Sequence, residues 1–214
     1  MRLYAKIYVF AYVLLLVTVF VLPLFSFEGY SIVQNTINEL GAQKVPGSWV
    51  ANASIMFLSL AIVPLATKQL KVYWKQLAIL YFFCISFFFT GVYQLAGFNF
   101  HDHIFNYTDD ALHSLFSMIT GFAFSAFCFF FIFIVEKTRE RWQTFGAFSL
   151  ALITPLLMWK HPEYKGIYQR ILFLGSFGWL FYALTTYTFI SAKSNLSSLK
   201  HSKKSNEHLF KNEK

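Results

Sequence analysis

The stretch IYVFAYVLLLVTVFVLPLFSF, from Ile7 to Phe27, decides the fold, because it contains no charged residue over its whole length. A transmembrane α-helix needs about 20 consecutive, predominantly apolar residues. Five further stretches without Asp, Glu, Lys or Arg approach or exceed that length: Val45–Thr67, Gln76–Phe100, Ala111–Val135, Trp142–Trp159 and Ile171–Ala192. The sequence therefore predicts an all-α, polytopic membrane helix bundle with six transmembrane helices in residues 1–192.

The composition agrees with a chain that faces lipid. Hydrophobic residues make up 57% of the sequence and charged residues only 13%, whereas a soluble domain carries about 25% charged residues. Phe alone occurs 28 times among 214 residues. A soluble globular domain is excluded, because a chain of this length cannot bury so much aromatic surface in its own core.

The positions of Lys and Arg predict the orientation. With a cytoplasmic N-terminus, 14 of the 18 basic residues lie on the cytoplasmic side, and the outer side keeps Lys44, Lys160, Lys165 and Arg170. This bias follows the positive-inside rule, so both termini are predicted to be cytoplasmic in a multi-pass membrane protein. The same placement explains the net charge of +8 without nucleic acid as a partner. Residues 193–214 are rich in Ser, Lys and Asn and are predicted to form a basic, disordered cytoplasmic tail.

The second outer loop and the start of the fourth predicted span concentrate titratable residues. Asp109 and Asp110 precede His113 by four and three residues, which places the three side chains on one face of a helix. A carboxylate beside a histidine fixes its tautomer and raises its basicity, so Asp110 is a candidate to orient His113 as a base or a ligand. The alternative is that both aspartates only stabilise the helix N-terminus.

Two further histidines, His101 and His103, flank Asp102 in the same loop. Together with His113 they supply three imidazoles, the set that holds a catalytic zinc with one open position. The alternative is that the loop histidines are solvated and bind nothing.

The first and third outer loops supply the remaining candidates. Asn35, Asn38 and Glu39 are spaced to share one face of a short helix that ends near Gly41. They either cap that helix or close over a site formed with the second loop. Arg170, directly before the sixth predicted span, either snorkels to a lipid phosphate or pairs with an outer acid.

Four motifs in this order resemble those of the bacterial domain-of-unknown-function family nine-nine-eight, a group of small polytopic membrane proteins. The motifs are Asn35–Gly41, Pro46–Trp49, the loop Gly97–Asp102 followed by His113, and Tyr168–Arg170 with the downstream Trp179. Where that family commonly has Ser before the acidic residue, this chain has Asn38, which disfavours a nucleophile there. The resemblance implies a multi-pass protein of the bacterial inner membrane and leaves the activity open.

These observations predict an integral membrane protein with a polar His/Asp site on its outer face. The first hypothesis is binding of a lipid or small-molecule ligand, or an envelope accessory role, with Asn35, Asn38, Asp102, Asp109 and Arg170 as ligand contacts. The alternative is a metal-dependent hydrolase that acts on a lipid or its headgroup, with Glu39 as base and Asp110 and His113 as its partners. A transporter is disfavoured, because no ionisable residue lies deep in a predicted span.

Overall fold

The computed structural model describes residues 2–97 and 105–190, and these residues are all-helical. Its α-helices are α1 (Arg2–Val21), α2 (Ile37–Leu40), α3 (Ser48–Leu70), α4 (Trp74–Val92), α5 (Tyr107–Phe131), α6 (Thr138–Lys160) and α7 (Lys165–Thr186). Two 3₁₀ turns, Leu22–Phe25 and Pro162–Tyr164, follow α1 and precede α7. The predicted all-α class is confirmed. The predicted tail, residues 193–214, lies outside the described residues.

Within the described chain, four helices are long and apolar enough to cross a membrane: α1 with its 3₁₀ extension, α3, α4 and α5. Their presence indicates a membrane protein. Helices α6 and α7 are of similar length, 23 and 22 residues. They are less apolar because charged residues occupy their ends, including Arg139, Glu140 and Arg141 in α6 and Lys165 and Arg170 in α7.

The helix boundaries differ from the predicted spans by up to eight residues, and three of the differences concern polar residues. Helix α4 ends at Val92, eight residues before the predicted end at Phe100, because Tyr93 adopts an extended conformation. Helix α5 begins at Tyr107, where the side chain of Asn106 accepts hydrogen bonds from the first free amides. Helix α7 begins at Lys165, six residues before Ile171. As a result, Gln94 lies in the loop after α4, whereas residues 108–110 and 165–170 lie inside helices.

The six long helices form a closed ring in which α1 packs on α3, α3 on α4, α4 on α5, α5 on α6, α6 on α7 and α7 on α1. Aromatic side chains fill its interior, among them Tyr8, Phe87, Phe127 and Phe177. The outer surface is also apolar, as shown by Phe122, which is 72% exposed. Such a surface suits hydrocarbon and is far more apolar than water-soluble proteins tolerate.

The short helix α2 lies at one end of this ring, where it contacts α3 and α7. We call this the α2 end. At the other end, Val135 and Phe189 form an isolated antiparallel bridge. There the buried Glu140 accepts a hydrogen bond from the backbone N–H of Thr188 at 3.1 Å. These contacts join the α5–α6 turn to the segment that follows α7.

Candidate functional site

Helix α2 is held by a capping box. The hydroxyl of Thr36 accepts from the N–H of Glu39 at 3.2 Å, and Oε2 of Glu39 accepts from the N–H of Thr36 at 2.8 Å. Asn35 donates to the same carboxylate at 3.0 Å, and Lys165 Nζ donates to its second oxygen. Glu39, the predicted base, is therefore a buried carboxylate whose two oxygens are both engaged in local structure.

The guanidinium of Arg170 fixes the loop before α2 from inside the bundle. The side chain is only 3% exposed. It donates at 2.8–3.3 Å to four backbone carbonyls and one phenol, those of Val19, Ile32, Asn35, Gly166 and Tyr30. Arg170 thus does not snorkel, and all three of its nitrogens donate to protein atoms.

Tyr30 links Arg170 to helix α2. Its hydroxyl accepts from Arg170 Nη2 at 3.0 Å and donates to the carbonyl of Thr36 at 2.8 Å. Burial raises the pKa of the Tyr30 phenol, and the neighbouring Arg170 partly offsets that rise. The phenol therefore stays protonated and keeps its donor. We call Tyr30, Asn35, Thr36, Glu39, Lys165 and Arg170 the loop clamp.

Two glycines allow the backbones at the α2 end to approach closely. A Cβ atom on Gly166 would lie 2.4 Å from the carbonyl oxygens of Ile32 and Asn35. A Cβ atom on Gly41 would lie 2.3 Å from Oδ1 of Asn52, whose Nδ2 donates to the Gly41 carbonyl at 2.9 Å. Gly166 therefore requires glycine, because its close neighbours are backbone atoms, whereas a Cβ atom at Gly41 would displace the Asn52 side chain. Both glycines seat α2 against α3 and α7.

The second loop is tied to the first at its two described ends. The side chain of Gln43 accepts from the N–H of Asn106 at 2.8 Å and donates to the carbonyl of Gln94 at 3.0 Å. Asp110 accepts from the N–H of Ala96 at 2.8 Å. Asp109 lies half-buried in the first turn of α5. The predicted residues His101, Asp102 and His103 lie outside the described residues.

His113 is buried between α5 and α4. Its Nδ1 lies 3.0 Å from the carbonyl oxygen of Thr90 and 2.9 Å from that of Tyr93. A carbonyl oxygen only accepts, so Nδ1 carries the proton and Nε2 is left as an acceptor. Nε2 is buried and has no hydrogen-bond partner in the described part of the chain. The backbone of α4, and not Asp110, therefore sets the tautomer of His113.

A cavity of about 300 Å³ lies between α4, α5, α6 and α7 and reaches α2. We call it the ligand cavity. Most of its wall is apolar and includes the rings of Phe83, Phe87, Phe124, Phe173 and Phe177. The polar side chains on its wall are those of Asn38, Thr90, Ser117, Thr120, Gln169 and Ser176.

Two hydroxyl groups on the wall of the ligand cavity are unsatisfied. The Oγ atoms of Ser117 on α5 and Ser176 on α7 are buried, and neither has a hydrogen-bond partner among the described residues. Buried hydroxyls are nearly always hydrogen-bonded in folded proteins. Ser117 lies one helical turn from His113, whose Nε2 is equally unsatisfied. The ligand cavity therefore has the unused hydrogen-bonding capacity that a binding site needs.

Helix α2 closes one end of the ligand cavity. Asn38 of α2 and Gln169 of α7 both line it, and Gln169 Oε1 accepts from the N–H of Ile37 at 2.5 Å. The loop clamp holds α2 in this place. The structure thus brings Asn38 and the neighbourhood of His113 to one cavity, while Asn35, Glu39 and Arg170 support the loop that covers it.

A second cavity of about 360 Å³, between α3 and α4, lacks these features. Its wall is almost wholly apolar. Its two hydroxyl-bearing side chains are satisfied, since Ser59 donates to the Met56 carbonyl at 2.7 Å and Tyr81 is bonded to Thr67 at 2.6 Å. It resembles a groove for a lipid chain and offers no polar recognition.

Three residues of the site were not predicted from the sequence, and only one of them carries a recognisable sequence pattern. Gln169 precedes the predicted start of its helix at Ile171, and Ser176 lies within that predicted span. Only the packing of α7 shows that both line the cavity. Thr36 was detectable, because Thr-x-x-Glu is the pattern of a capping box. The described residues contain no group of three metal-binding side chains. With His101 and His103 outside them, the zinc site stays a prediction.

A model of the family of unknown function DUF998 matches residues 10–186. No curated protein and no solved structure matches the chain. The matched range includes the last described residues of α7 and every motif on which the family resemblance rested. Because the match covers far more than half of the chain, the protein belongs to DUF998, the family that its motifs predicted.

Proposed function

We propose that this DUF998 protein is a six-pass protein of the bacterial inner membrane that binds a lipid or small amphiphilic ligand in the ligand cavity, on the outer side of the membrane. The observation that carries the proposal is the pair of unsatisfied hydroxyls, Ser117 and Ser176, on an otherwise aromatic wall. An unsatisfied buried hydroxyl costs about 1–3 kcal/mol. A ligand with a polar group recovers that free energy when it binds.

The volume and the wall of the ligand cavity support binding of an amphiphile. Ligand pockets span about 300–1,000 Å³, are mostly apolar and carry a few converging polar groups. The ligand cavity, at about 300 Å³, lies at the lower end of that range. Its aromatic rings suit a hydrocarbon chain, and its hydroxyls suit a polar group attached to that chain.

Two crossings by α6 and α7, in addition to the four apolar helices, complete the proposed topology. At 1.5 Å per residue, helices of 23 and 22 residues measure about 34 and 33 Å, enough for a hydrocarbon core of about 30 Å. Both helices are also needed to close the ring between α5 and α1. The bias of basic residues then places the α2 end, with the ligand cavity, outside.

A substitution that fills the ligand cavity tests the proposed function. Gly121 lines the cavity, and a Cβ atom there meets no other atom within 4 Å. We expect a lipid to co-purify with the wild-type protein, and Gly121→Leu to fold and to lose that lipid, as detected by mass spectrometry of the purified proteins. Gly146→Leu in α6 is the matched control, because it adds the same side chain into open space away from the cavity.

Equal amounts of co-purified lipid in the Gly121→Leu and Gly146→Leu proteins would refute binding in the ligand cavity. Thermal unfolding of both variants in the same detergent shows that they are folded. Each replaces a helical glycine, so each is expected to gain up to about 1 kcal/mol from helix propensity.

The tautomer of His113 favours a second candidate, the metal-dependent hydrolase. A metal-binding histidine commonly donates one ring N–H to a carbonyl and presents the other nitrogen to the metal. His113 has this arrangement, with Nδ1 on the carbonyls of α4 and Nε2 unsatisfied among the described residues. In this candidate function His101 and His103 complete a zinc site, and the substrate is a lipid or its headgroup.

Elemental analysis of the purified full chain decides this second candidate. The hydrolase requires one zinc per chain, lost in His113→Ala and retained in His161→Ala, a histidine of the turn before α7. A folded wild-type protein without stoichiometric zinc excludes the hydrolase and leaves ligand binding untouched.

A further inference from the structure

The ligand cavity lacks a counter-charge. None of the described residues on its wall carries a charged side chain. Arg170 follows the wall residue Gln169 in the sequence, but its guanidinium donates to backbone carbonyls and a phenol. Lys165 is paired with Glu39. A buried ligand with a net charge would therefore lie in a low-dielectric space without a partner, which is strongly unfavourable.

The hydroxyls of the cavity wall define the polar group that fits. Thr90 and Thr120 are already satisfied, because they donate to the carbonyls of Phe87 and Phe116 at 2.7 Å. Only Ser117 and Ser176, among the described wall residues, have an unsatisfied buried hydroxyl. A hydroxyl both donates and accepts. The two serine hydroxyls, on α5 and α7, therefore match an uncharged ligand group that can form hydrogen bonds with them, such as an alcohol or an ester.

We infer that the ligand is an uncharged amphiphile with a single apolar chain and a hydroxyl or ester group, which Ser117 and Ser176 bind while the phenylalanine rings enclose the chain. The cavity, at the lower end of the range of ligand pockets, has room for one chain. Long-chain alcohols and monoacylglycerols belong to this class, whereas phospholipids and ionised fatty acids do not. The inference rests on the proposed function.

The fluorescence of Trp179 can report whether such an amphiphile binds in the ligand cavity. Its ring lies 6.1 Å from that of Phe124, which lines the ligand cavity. The other four tryptophans are on the surface and are replaced by Phe: Trp49, Trp74, Trp142 and Trp159. Bromine quenches tryptophan fluorescence at short range, so a brominated chain in the ligand cavity will quench the single remaining Trp179.

Three dibrominated molecules of equal chain length serve as probes. They are a long-chain alcohol, the matching alkane and the matching sulfonate, and the sulfonate is always charged. We expect the alcohol to quench Trp179 at a concentration at least about tenfold below that of the sulfonate. In the double variant Ser117→Ala/Ser176→Ala the affinity for the alcohol should fall about tenfold, because one to two hydrogen bonds are lost. The affinity for the alkane should not fall, because the alkane makes no hydrogen bond. The thermal stability of this double variant should be unchanged or higher, since it removes two unsatisfied groups.

Each contrary result has a separate meaning. A sulfonate that binds as well as the alcohol overturns the inference of an uncharged ligand. An equal loss of alcohol and alkane affinity in the double variant overturns recognition by the two hydroxyls. If Gly121→Leu, built into the single-tryptophan protein, is quenched by every probe as strongly as its Gly146→Leu counterpart, the proposed function itself fails.

Discussion

At the scale of single residues, close backbone approaches distinguish this structure from a simple bundle of apolar helices. Gly166 illustrates this, because its N–H donates to the carbonyl of Val33 at 3.0 Å and its Cα faces the carbonyls of Ile32 and Asn35. Arg170, one turn later, donates to those same two carbonyls. The loop is therefore held by a glycine that lets it approach and an arginine that bonds it.

We predict that Gly166→Ala destabilises the protein by about 1–3 kcal/mol, the usual cost of forcing an extra methyl group into a packed region. The methyl group would lie 2.4 Å from two backbone oxygens that cannot move independently of the loop. Gly121→Ala is the control, since its methyl group meets no atom within 4 Å and helix propensity should raise stability by up to about 1 kcal/mol. Thermal unfolding in one detergent compares them, and equal midpoints would contradict the packing described here.

The role of Arg170 shows where sequence reasoning stops. The sequence identified it as an isolated basic residue on the outer side, and an interfacial position follows if the helix begins at Ile171. The helix begins at Lys165, so Arg170 lies in its second turn and is buried. Four of its five acceptors come from residues 19–35, more than 130 positions away. No local pattern encodes carbonyls that distant, so only the assembled fold reveals them.

At the scale of elements, α2 is too short to be stable alone, since helices below about 12 residues are marginal in water. Three sets of contacts stabilise it instead. They are its capping box, the hydrogen bond from Ile37 to Gln169 and the pairing of Glu39 with Lys165. The capping box can be recognised in the sequence as the pattern Thr36-x-x-Glu39. The contacts with α7 are not, because they depend on how α7 packs beside the first loop.

We predict that Thr36→Ala costs about 0.5–2 kcal/mol through loss of the N-cap and opens the α2 end of the ligand cavity. Hydrogen exchange of residues 30–43 in the purified protein should accelerate, while exchange in α3 and α4 should stay as in the wild type. Thr36→Ser, which keeps the hydroxyl acceptor, should exchange like the wild type. Acceleration spread over the whole chain in Thr36→Ala would instead show that α2 has no local role.

At the scale of the whole molecule, the helical class and the family were predictable because long charge-free stretches and ordered motifs are properties of the chain itself. The number of membrane crossings is harder to predict from the sequence. Helices α6 and α7 combine apolar centres with charged ends, and their fit to a membrane depends on whether those charges are neutralised. The structure pairs Lys165 with Glu39 and Lys137 with Glu140, the latter at 3.4 Å, and backbone carbonyls accept the hydrogen bonds of Arg170.

Labelling on the two sides of α6 separates six crossings from four. A reporter on the C-terminal tail does not, because both topologies return the tail to the cytoplasm. Single cysteines are therefore placed at Glu163, in the turn between α6 and α7, and at Thr138, at the start of α6, after the buried Cys84 and Cys128 are replaced by Ala. Both positions are exposed on the protein surface.

A membrane-impermeant maleimide is added to bacterial spheroplasts, in which the outer membrane has been removed and the inner membrane is intact. With six crossings it labels Glu163→Cys, and it labels Thr138→Cys only after the inner membrane is permeabilised. With four, α6 and α7 stay inside and both cysteines are spared. Glu28→Cys, in the first outer loop, is labelled in either case and shows that the protein is inserted with its N-terminus inside. If Glu163→Cys is protected while Glu28→Cys is labelled, the first outer loop and the start of α7 lie on opposite sides of the membrane. The hydrogen bonds of Gly166 and Arg170 to that loop then cannot form, and the ligand cavity that they help to close is refuted with them.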